Sequence, residues 1–212
     1  MPSAPRSPIV SRFPPAASGM AIGLVGGSFN PAHDGHRQIS LEALKHLSLD
    51  RIWWLVTPGN PLKSHDELAR LDRRMAAAAA LADHPRIVVT GLETAIGTAY
   101  TAETIRHLLV RYPAVRFVWV MGADNLAGFH RWRDWRAIAA SVPMLVADRP
   151  GWRYRALASR AAIALRPHRV GEAAIGALAR LPPPAWAFPA GPLSPLSSTA
   201  IRDAERVRRI GA

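Results

Sequence analysis

The stretch from Leu24 to His36 constrains this chain more than any other part of the sequence. It reads L-V-G-G-S-F-N-P-A-H-D-G-H and continues a short apolar run that begins at Ala21. The apolar run suits a buried parallel strand, and Gly26 and Gly27 mark a point where the backbone turns sharply or approaches a ligand closely. After Gly35, apolar residues recur at helical spacing. The sequence therefore predicts a strand, a glycine turn, two histidines and the start of a helix.

This order of elements favours phosphate binding. Free backbone N–H groups and the positive end of the helix dipole attract anions. His33 and His36 lie three positions apart, so in a first helical turn both could face one ligand and donate hydrogen bonds to phosphate oxygens. Two other interpretations stay open: a plain strand-to-helix turn, and a metal-binding pair, although no third ligand is obvious nearby. The stretch is neither a Walker loop nor the dinucleotide-binding G-x-G-x-x-G.

The charge balance of the chain favours anionic partners. The 212 residues carry a formal net charge of +12 at pH 7, and Lys45 and Lys63 are the only lysines. Phosphorylated small molecules and nucleic acids both fit such a balance, and an arginine-rich composition can also reflect the genome. There is no cysteine, which excludes disulfides and thiolate metal sites and fits a cytoplasmic protein. No apolar run reaches membrane-spanning length.

The order of apolar runs and breaker residues predicts a doubly wound, Rossmann-like and mostly parallel α/β sheet. Residues 20–212 are expected to form one domain behind a flexible proline- and serine-rich tail over 1–19. Helices are expected over 66–82, where alanine dominates, and from Tyr100 onward, with a loop over 93–101. The stretch 152–184 has a weaker, helical pattern. The predicted strands span 21–25, 51–57, 87–89, 115–121, 142–147 and 186–188.

Loops that follow strands of a parallel sheet line its ligand crevice. The second predicted strand leads into Pro58-Gly59-Asn60-Pro61, and Lys63 stands at the end of that loop. The fourth strand ends in Gly122-Ala123-Asp124-Asn125, and the fifth in Asp148-Arg149-Pro150-Gly151. A loop lysine is usually a solvated charge, so only the position of Lys63 after a strand favours a ligand-binding role for it.

A second candidate anion site lies late in the chain, at Ser197, Ser198 and Thr199. These residue types are strong N-caps, and their hydroxyls together with uncapped N–H groups suit a phosphate. Arg202 follows three residues after Thr199, hence on the same helix face, where a guanidinium can bind phosphate oxygens in bidentate fashion. Taken alone, a capped helix with a solvated arginine is the simpler interpretation of this stretch.

Together these motifs resemble the nucleotidyltransferase superfamily with the H-x-G-H motif, here His33-Asp34-Gly35-His36. The longer string Gly-Gly-Ser-Phe-Asn-Pro-Ala-His is similar to that of bacterial nicotinate-nucleotide adenylyltransferases, and S-S-T-x-I-R resembles their late motif. Two phosphate motifs in the family's order are far more specific than either alone. The resemblance spans 22–202 and is strongest over 26–36, 100–104, 122–135 and 197–202.

The resemblance implies transfer of AMP from ATP to nicotinate mononucleotide, which gives nicotinate adenine dinucleotide and pyrophosphate in NAD biosynthesis. It implies that the catalytic residues are His33, His36 and Arg202. The implied ATP-binding residues are Gly26, Gly27, Ser28, Phe29, Lys63, Gly122, Asp124, Ser197, Ser198 and Thr199. The implied acceptor-binding residues are Asn60, Tyr100, Thr101 and Trp132. A core role for Trp132 stays open, because Trp135 follows it at helical spacing.

The family chemistry also sets expectations for cofactors and partners. Mg²⁺ is expected to come with ATP and to bridge phosphates mostly through water, so no dedicated protein metal site is expected. The expected partners are ATP and nicotinate mononucleotide, without nucleic acid or membrane; a homo-oligomer stays possible. The alternatives are a phosphopantetheine adenylyltransferase, whose motif usually has threonine in place of His33, and a basic nucleic-acid-binding protein. Class I aminoacyl-tRNA synthetases share H-x-G-H, but their later lysine-rich motif is missing from this sequence.

Overall fold

A computed structural model describes residues 7–59 and 68–189 of the chain. Within these ranges the strands form one eight-stranded sheet in the order β1-β4-β3-β2-β5-β6-β8-β7, and each neighbouring pair is parallel. This confirms the predicted doubly wound α/β architecture. The strands are β1 (Ile9–Val10), β2 (Ala21–Gly27), β3 (Arg51–Val56), β4 (Ile87–Thr90), β5 (Arg116–Gly122), β6 (Met144–Ala147), β7 (Arg169–Val170) and β8 (Trp186–Ala187).

Helices cover both faces of the sheet. They are α1 (Asp34–His46), α2 (Leu71–Ala82), α3 (Leu92–Ile96), α4 (Thr101–Arg111), α5 (Ala123–Gly128), α6 (Trp135–Ser141), α7 (Arg153–Leu157) and α8 (Arg160–Ala164), and 3₁₀ turns span Phe129–Arg131, Arg166–His168 and Glu172–Arg180. The apolar side chains of α1 and α2 pack on one face, and those of α4, α5 and α6 pack on the other. No helix in the described ranges is long and apolar enough to cross a membrane.

The central strands are buried on both faces, as expected for near-continuous apolar runs in a parallel sheet. Trp53 and Trp54 are neighbours in β3, point to opposite faces and are both fully buried. The Trp53 ring packs against Phe117 at 5.8 Å between centroids, whereas Trp54 Nε1 donates a hydrogen bond to Ser40 Oγ of α1 at 2.7 Å. This pair of bulky residues therefore requires a covered face on either side of β3.

The predicted strands are confirmed in place, with ends that differ by one or two residues. The largest change in interpretation concerns Gly26 and Gly27, which end β2 rather than form a turn. A Cβ atom at Gly26 would lie 2.6 Å from Cη2 of Trp119 in β5, so glycine is needed here for close packing. The chain turns later, at Phe29, whose φ of 48° is left-handed.

Two helix predictions were wrong in extent. The helix predicted over 66–82 begins at Leu71, and the backbone groups of Ala69 bind side chains instead. Its N–H donates to Asn30 Oδ1 at 3.4 Å, and its carbonyl accepts from Arg74 Nε at 2.7 Å. The loop predicted over 93–101 contains most of α3, which ends at Gly97 with a left-handed φ of 69°.

The stretch 152–184 also differs from the prediction. Instead of one helical region it contains α7, α8, two 3₁₀ turns and the edge strand β7. Ser159 caps α8 by accepting a hydrogen bond from the backbone N–H of Ala162 at 3.2 Å, and Pro167 lies in the turn that follows α8. Caps and breaker residues divide this alanine-rich stretch into short pieces.

Residues 7–19, which belong to the tail predicted to be flexible from its proline content, make hydrogen bonds to the folded domain. β1 adds a strand beside β4. Ser7 Oγ donates to the carbonyl of His84 and accepts from its N–H, both at 2.9 Å. Further along, the Tyr112 hydroxyl donates to the carbonyl of Pro14 at 2.9 Å. Proline lacks an amide donor but keeps its carbonyl acceptor, so a proline-rich segment can still be bound along its backbone.

Candidate active site

The residues of the H-x-G-H motif lie at the carboxyl edge of the sheet. β2 pairs with β3 on one side and with β5 on the other. The chain therefore adds β3 and β4 on one side of β2, and then adds β5 and β6 on the other side. A crevice at such a topological switch point is where open parallel sheets bind ligands. The loop from Ser28 to Ala32 leads from the carboxyl end of β2 towards α1.

His33 and His36 come together at the start of α1. His33 is the N-cap residue and His36 stands in the first turn, and their ring centroids are 3.9 Å apart. The backbone N–H of His33 donates to Nδ1 of His36 at 3.3 Å. A neutral imidazole has one donor and one acceptor nitrogen, so this hydrogen bond assigns the proton of His36 to Nε2. That N–H is then a hydrogen-bond donor for a ligand in the crevice.

Aromatic packing holds the His36 ring in place. The Phe29 ring lies 4.5 Å from the His36 ring and 5.0 Å from the Trp54 ring, measured between centroids. Phe29 is buried, and its left-handed φ of 48° is unusual for a bulky residue and stores strain. The strained turn therefore places an aromatic wall beside His36.

Both histidines have lowered pKa values and are neutral at pH 7. The pKa of His33 is lowered from 6.5 to about 4, first by burial and then by the positive charge of Arg149. The carboxylates of Asp124 and Asp34 oppose this shift. Burial also lowers the pKa of His36 well below 6.5, and His33 and Arg149 add to the effect. His33 is 4% exposed, and its Nδ1 has no hydrogen-bond partner within residues 7–59 and 68–189.

Asp124 and Arg149 form the charged side of the crevice. Arg149 Nε lies 2.9 Å from Asp124 Oδ1, and both side chains are partly buried. Asp124 is in the first turn of α5 and Arg149 follows β6. Gly122 provides the space for this pair, because a Cβ atom there would lie 2.4 Å from Asp124 Oδ1 and 2.6 Å from Arg149 Nε. Gly122 and Asp124 thus lie beside Arg149 where β5 ends, and their role in ATP binding stays a prediction.

Arg149 is a candidate site residue that the sequence predictions did not include. The signal for it was present: Asp148-Arg149-Pro150-Gly151 directly follows a predicted strand. Since the carboxyl ends of parallel strands meet at one edge of the sheet, residues after β6 can reach residues after β2 and β5. The pKa effect of Arg149 on both histidines reflects this proximity.

A second residue missed by the sequence predictions is Arg74 of α2, which is 3% exposed. Its Nη1 donates to the carbonyl of Ser28 at 2.7 Å and to that of Thr57 at 2.8 Å. Its Nε donates to the carbonyl of Ala69, as described above. Arg74 therefore ties the loop after β2 to the end of β3 and to the segment before α2. Nothing in the sequence distinguishes it from its exposed neighbour Arg73.

The predicted acceptor residues that the structure describes lie around the start of α4. Tyr100 is the N-cap residue of α4 and Thr101 its first residue. Arg133, which follows Trp132, places its guanidinium carbon 4.5 Å from the centroid of the Tyr100 ring. Its Nη1 also lies 3.2 Å from Oε1 of Glu103. These contacts bring the segment around Trp132 to the start of α4.

Trp132 and Trp135 differ in burial, and both pack against the core. Trp135 is buried, and its ring packs edge-on against Phe129 at 5.8 Å between centroids, so Trp135 is the core residue. Trp132 is only partly buried. One side of its ring packs edge-on against Trp119 at 6.1 Å, and part of its surface stays accessible to a ligand.

The remaining predicted site residues lie outside the described ranges. They are Asn60, Lys63, Ser197, Ser198, Thr199 and Arg202. Within the described ranges, no group of three or more His, Cys, Asp or Glu side chains could hold a metal ion. The interpretation of His33 and His36 as a metal pair therefore finds no third ligand in that part of the chain.

The described part of the site is built to bind an anion. Two neutral imidazoles and one guanidinium lie at the amino end of the 13-residue helix α1. Hydrogen-bond donors and the helix dipole act in the same direction there. Because these groups are fixed by packing before any ligand arrives, they need little reorganisation to stabilise developing negative charge.

Comparisons with known proteins agree with this geometry. A family described as cytidylyltransferase-like matches residues 24–204. A probable nicotinate-nucleotide adenylyltransferase of Methylorubrum extorquens is 58% identical over 183 residues, which are 86% of this chain and 99% of that relative. A protein of the same description from a Bradyrhizobium species is 56% identical over 184 residues, 87% of this chain and 96% of that relative.

A solved structure shows the same fold. The nicotinic acid mononucleotide adenylyltransferase of Plasmodium falciparum, complexed with NaAD, superposes with a TM-score of 0.66 at 15% sequence identity. The superposition covers 87% of this chain and 83% of that one. At this identity the likeness concerns the fold, since unrelated activities can share one architecture.

Proposed function

The chain belongs to the nicotinate-nucleotide adenylyltransferase family, and from this premise we propose that the crevice at the carboxyl edge of the sheet is its active site. The enzyme transfers AMP from ATP to nicotinate mononucleotide and releases pyrophosphate. The product, nicotinate adenine dinucleotide, is an intermediate in NAD biosynthesis. The observation that carries the site assignment is the pair of neutral histidines at the start of α1, 3.9 Å apart and beside Arg149.

The reaction needs positioning and charge neutralisation rather than a general base. The nucleophile is a phosphate oxygen of nicotinate mononucleotide, which is already anionic at pH 7. It forms a new bond to the α-phosphorus of ATP, and the bond to the bridging oxygen of the β-phosphate breaks, leaving pyrophosphate with the electron pair. Negative charge shifts towards the α-phosphate oxygens and the leaving group, so preorganised donors there lower the barrier.

The described residues supply donors for these charges. His36 Nε2–H is assigned to the α-phosphate, because the bond from the His33 amide turns this nitrogen into the donor. His33 lies beside it at the amino end of the helix and is assigned to the triphosphate. Arg149 adds a positive charge on the same side. Asp124 is assigned to the adenosine part of ATP, since a carboxylate accepts hydrogen bonds from ribose hydroxyls.

The late motif completes this assignment. Ser197, Ser198, Thr199 and Arg202 are proposed to hold the β- and γ-phosphates, and Lys63 to add charge from its loop. Support comes from the S-S-T-x-I-R string and from the family match, which extends through residue 204. A hydroxyl-rich helix start with an arginine one turn later suits two phosphate groups.

Mg²⁺ is proposed as the counter-ion that comes with ATP. Asp124, whose carboxylate acts on His33, is paired with Arg149, so the oxygen ligands of the ion would come mainly from phosphates and water. When bound, the ion would neutralise part of the triphosphate charge. The donors of His33 and His36 act on the same phosphates independently of it.

Acceptor choice tests the proposal. Nicotinate mononucleotide differs from its amide by one negative charge, which backbone N–H groups near Thr101 and Trp132 are proposed to read. Such donors would face the NH₂ group of the amide and lose their partners, a cost of roughly 1–3 kcal/mol. A preference of at least about a hundredfold for the acid is therefore expected.

The experiment is a pyrophosphate-release assay with ATP and three acceptors: nicotinate mononucleotide, nicotinamide mononucleotide and phosphopantetheine. The expected result is turnover with the acid, weak turnover with the amide and none with phosphopantetheine. Equal use of acid and amide would contradict the specificity proposal, and turnover with phosphopantetheine alone would contradict the assigned acceptor.

A further inference from the structure

A buried carboxyl group lies next to the acceptor side of the crevice, and the chemistry outlined above does not use it. Glu93 belongs to α3, directly after β4, and is 4% exposed. Its Oε1 accepts a hydrogen bond from the Thr104 hydroxyl at 2.9 Å. Burial raises the pKa of this carboxyl, and the Thr104 and Thr57 side chains act in the opposite direction. The carboxyl thus links α3 to α4, and the start of α4 carries the predicted acceptor residues Tyr100 and Thr101.

Glu93 is connected to the start of α4 through its backbone as well as its side chain. Its carbonyl accepts from the N–H of Thr98 at 3.0 Å, and the Thr98 hydroxyl accepts from the N–H of Tyr100 at 3.0 Å. Thr104, the side-chain partner of Glu93, donates its backbone N–H to the carbonyl of Tyr100 at 3.1 Å, and its hydroxyl oxygen lies 3.3 Å from the same carbonyl oxygen. Tyr100 is therefore held from both sides by residues that Glu93 binds.

A carboxyl group is costly to bury unless hydrogen bonds satisfy it. An apolar residue would pack between α3 and α4 without that cost, but it would leave the Thr104 hydroxyl without this acceptor. A hydrogen bond is directional, so the Glu93–Thr104 contact sets the position of the first turn of α4 more narrowly than apolar packing does. The Glu93–Thr104 contact therefore helps to hold Tyr100 and Thr101 in place at the start of α4.

We propose that Glu93 is a positioning residue for the acceptor: its hydrogen bond to Thr104 fixes the start of α4, and with it Tyr100 and Thr101, against the crevice. The identity of the acceptor rests on the proposed function. Small errors in the position of a substrate reduce the rate strongly. Because His33, His36 and Arg149 lie on other elements, the effect of losing this support falls on the acceptor rather than on ATP.

The test removes the hydrogen bond from either side without changing the shape of the packing. Thr104→Val removes the hydroxyl and Thr104→Ser keeps it; Glu93→Met removes the carboxyl and Glu93→Gln keeps an acceptor oxygen. We expect the valine and methionine variants to raise the KM for nicotinate mononucleotide roughly tenfold, the equivalent of one hydrogen bond. The KM for ATP of these variants is expected to stay within about threefold of wild type. Both KM values of Thr104→Ser and Glu93→Gln are expected to stay within the same range.

A double variant shows whether Glu93 acts through Thr104. If it does, Glu93→Met with Thr104→Val raises the acceptor KM no further than the larger single change, because coupled residues are not additive. Additive effects would overturn the proposal. Should either single variant fail to fold, Glu93→Asp keeps the carboxyl group but shortens the side chain by one methylene. The same split between acceptor KM and ATP KM is expected from it, and equal changes in both would count against the proposal.

Thr90 provides a matched control at the end of the neighbouring strand β4. It is fully buried, its hydroxyl donates to the carbonyl of Arg12 at 2.6 Å, and it accepts from the N–H of Leu92 at 3.2 Å. Thr90→Val should lower the melting temperature without changing the ratio of the two KM values. A Thr90→Val ratio shifted as much as that of Thr104→Val would overturn the proposal, since any buried hydroxyl would then have the same effect.

The outcome can be separated from a failure of the proposed function. If wild-type enzyme used another acceptor of the assay panel instead of nicotinate mononucleotide, the proposed function would be wrong. The KM split would then be measured with that acceptor, and its presence or absence would still decide the role of Glu93.

Discussion

The backbone N–H of His33 donates a hydrogen bond to Nδ1 of His36 at 3.3 Å. This contact follows from the two-residue spacing in H-x-G-H, which places one histidine at the N-cap and the other three positions later. A side chain at that second position can reach back to the N-cap amide, as in a capping box. Glutamate, the usual residue at that position, accepts the N-cap N–H and has no N–H group to donate to an anion. Histidine accepts the same N–H through one ring nitrogen and keeps the other nitrogen as a donor to a ligand.

His36→Ala is expected to lower kcat by roughly 10²–10³, the loss seen when one preorganised donor at a developing charge is removed. His36→Gln keeps an oxygen that can accept from the His33 amide, so it separates the capping role of His36 from its catalytic role. Its thermal stability should stay closer to wild type than that of His36→Ala, while its kcat should still fall. Both are measured by pyrophosphate release and thermal unfolding. His46→Ala, at the exposed far end of α1, is the control, and wild-type turnover in His36→Ala would remove His36 from the mechanism.

The lowered pKa of His33 predicts a pH dependence of stability. Between pH 6.5 and about pH 4 the unfolded chain binds a proton at this residue that the folded protein does not bind. The free energy of unfolding therefore falls as the pH is lowered through this window, by up to about 3 kcal/mol from His33. Above pH 6.5 the contribution is constant.

Urea unfolding at pH 7 and pH 4 tests this prediction. His33→Gln removes the titrating group, so the variant should lose less stability between the two pH values than wild type does. His46→Gln, on the same helix, should lose as much as wild type. Identical pH dependence in wild type and His33→Gln would show that the imidazole of His33 does not carry the effect.

Arg149→Met is expected to raise the KM for ATP and to raise the pKa of His33, because the positive charge of Arg149 helps to keep that pKa low. Gly122→Ala should act in the same direction, since its Cβ atom would meet the Asp124–Arg149 pair. Gly171→Ala is the control, because a Cβ atom at that position would have no neighbour within 4 Å in the described part of the chain. Histidine pKa values are measured by NMR titration, and an unchanged His33 pKa in Arg149→Met would contradict the proposed proximity effect.

Arg74→Lys is expected to lower the free energy of unfolding by roughly 1–3 kcal/mol, since an ammonium group cannot reach all three carbonyls and leaves a buried acceptor without its partner. Turnover should fall as well, because the loop at Ser28 loses its link to the end of β3. Urea unfolding and pyrophosphate release measure the two effects. Arg73→Lys, at the exposed neighbouring position, should change stability by no more than about 0.5 kcal/mol.

Trp132→Ala is expected to raise the acceptor KM more than the ATP KM, because stacking on a ligand ring contributes roughly 1–3 kcal/mol. Trp135→Ala is the matched comparison, and it should reduce stability, since Trp135 is buried against Phe129. Thermal unfolding and the two KM values separate these outcomes. An unfolded Trp132→Ala protein would favour a core role for Trp132 as well.

Local patterns in the sequence were sufficient for the strands of the sheet. Apolar runs bounded by breaker residues located β2, β3, β4, β5, β6 and β8 to within two residues at each end. Such runs are informative because burial on both faces of a parallel strand demands apolar residues at every position. The place of His33 and His36 at a helix start also followed from the sequence, because glycine and N-cap signals act over only a few residues.

Only the tertiary structure decided which distant residues meet. The ion pair of Asp124 with Arg149 and the hydrogen bonds of Arg74 to Ser28 and Thr57 join segments far apart in the chain. An arginine in a helix looks the same in sequence whether it is buried or exposed. Residues 7–19 showed the same limit: their prolines predicted a flexible tail, but their carbonyls found donors on the folded domain. The lowered pKa of His33 likewise depends on burial and on charges brought close by folding. These properties arise from contacts between separate elements, and no local sequence pattern encodes them.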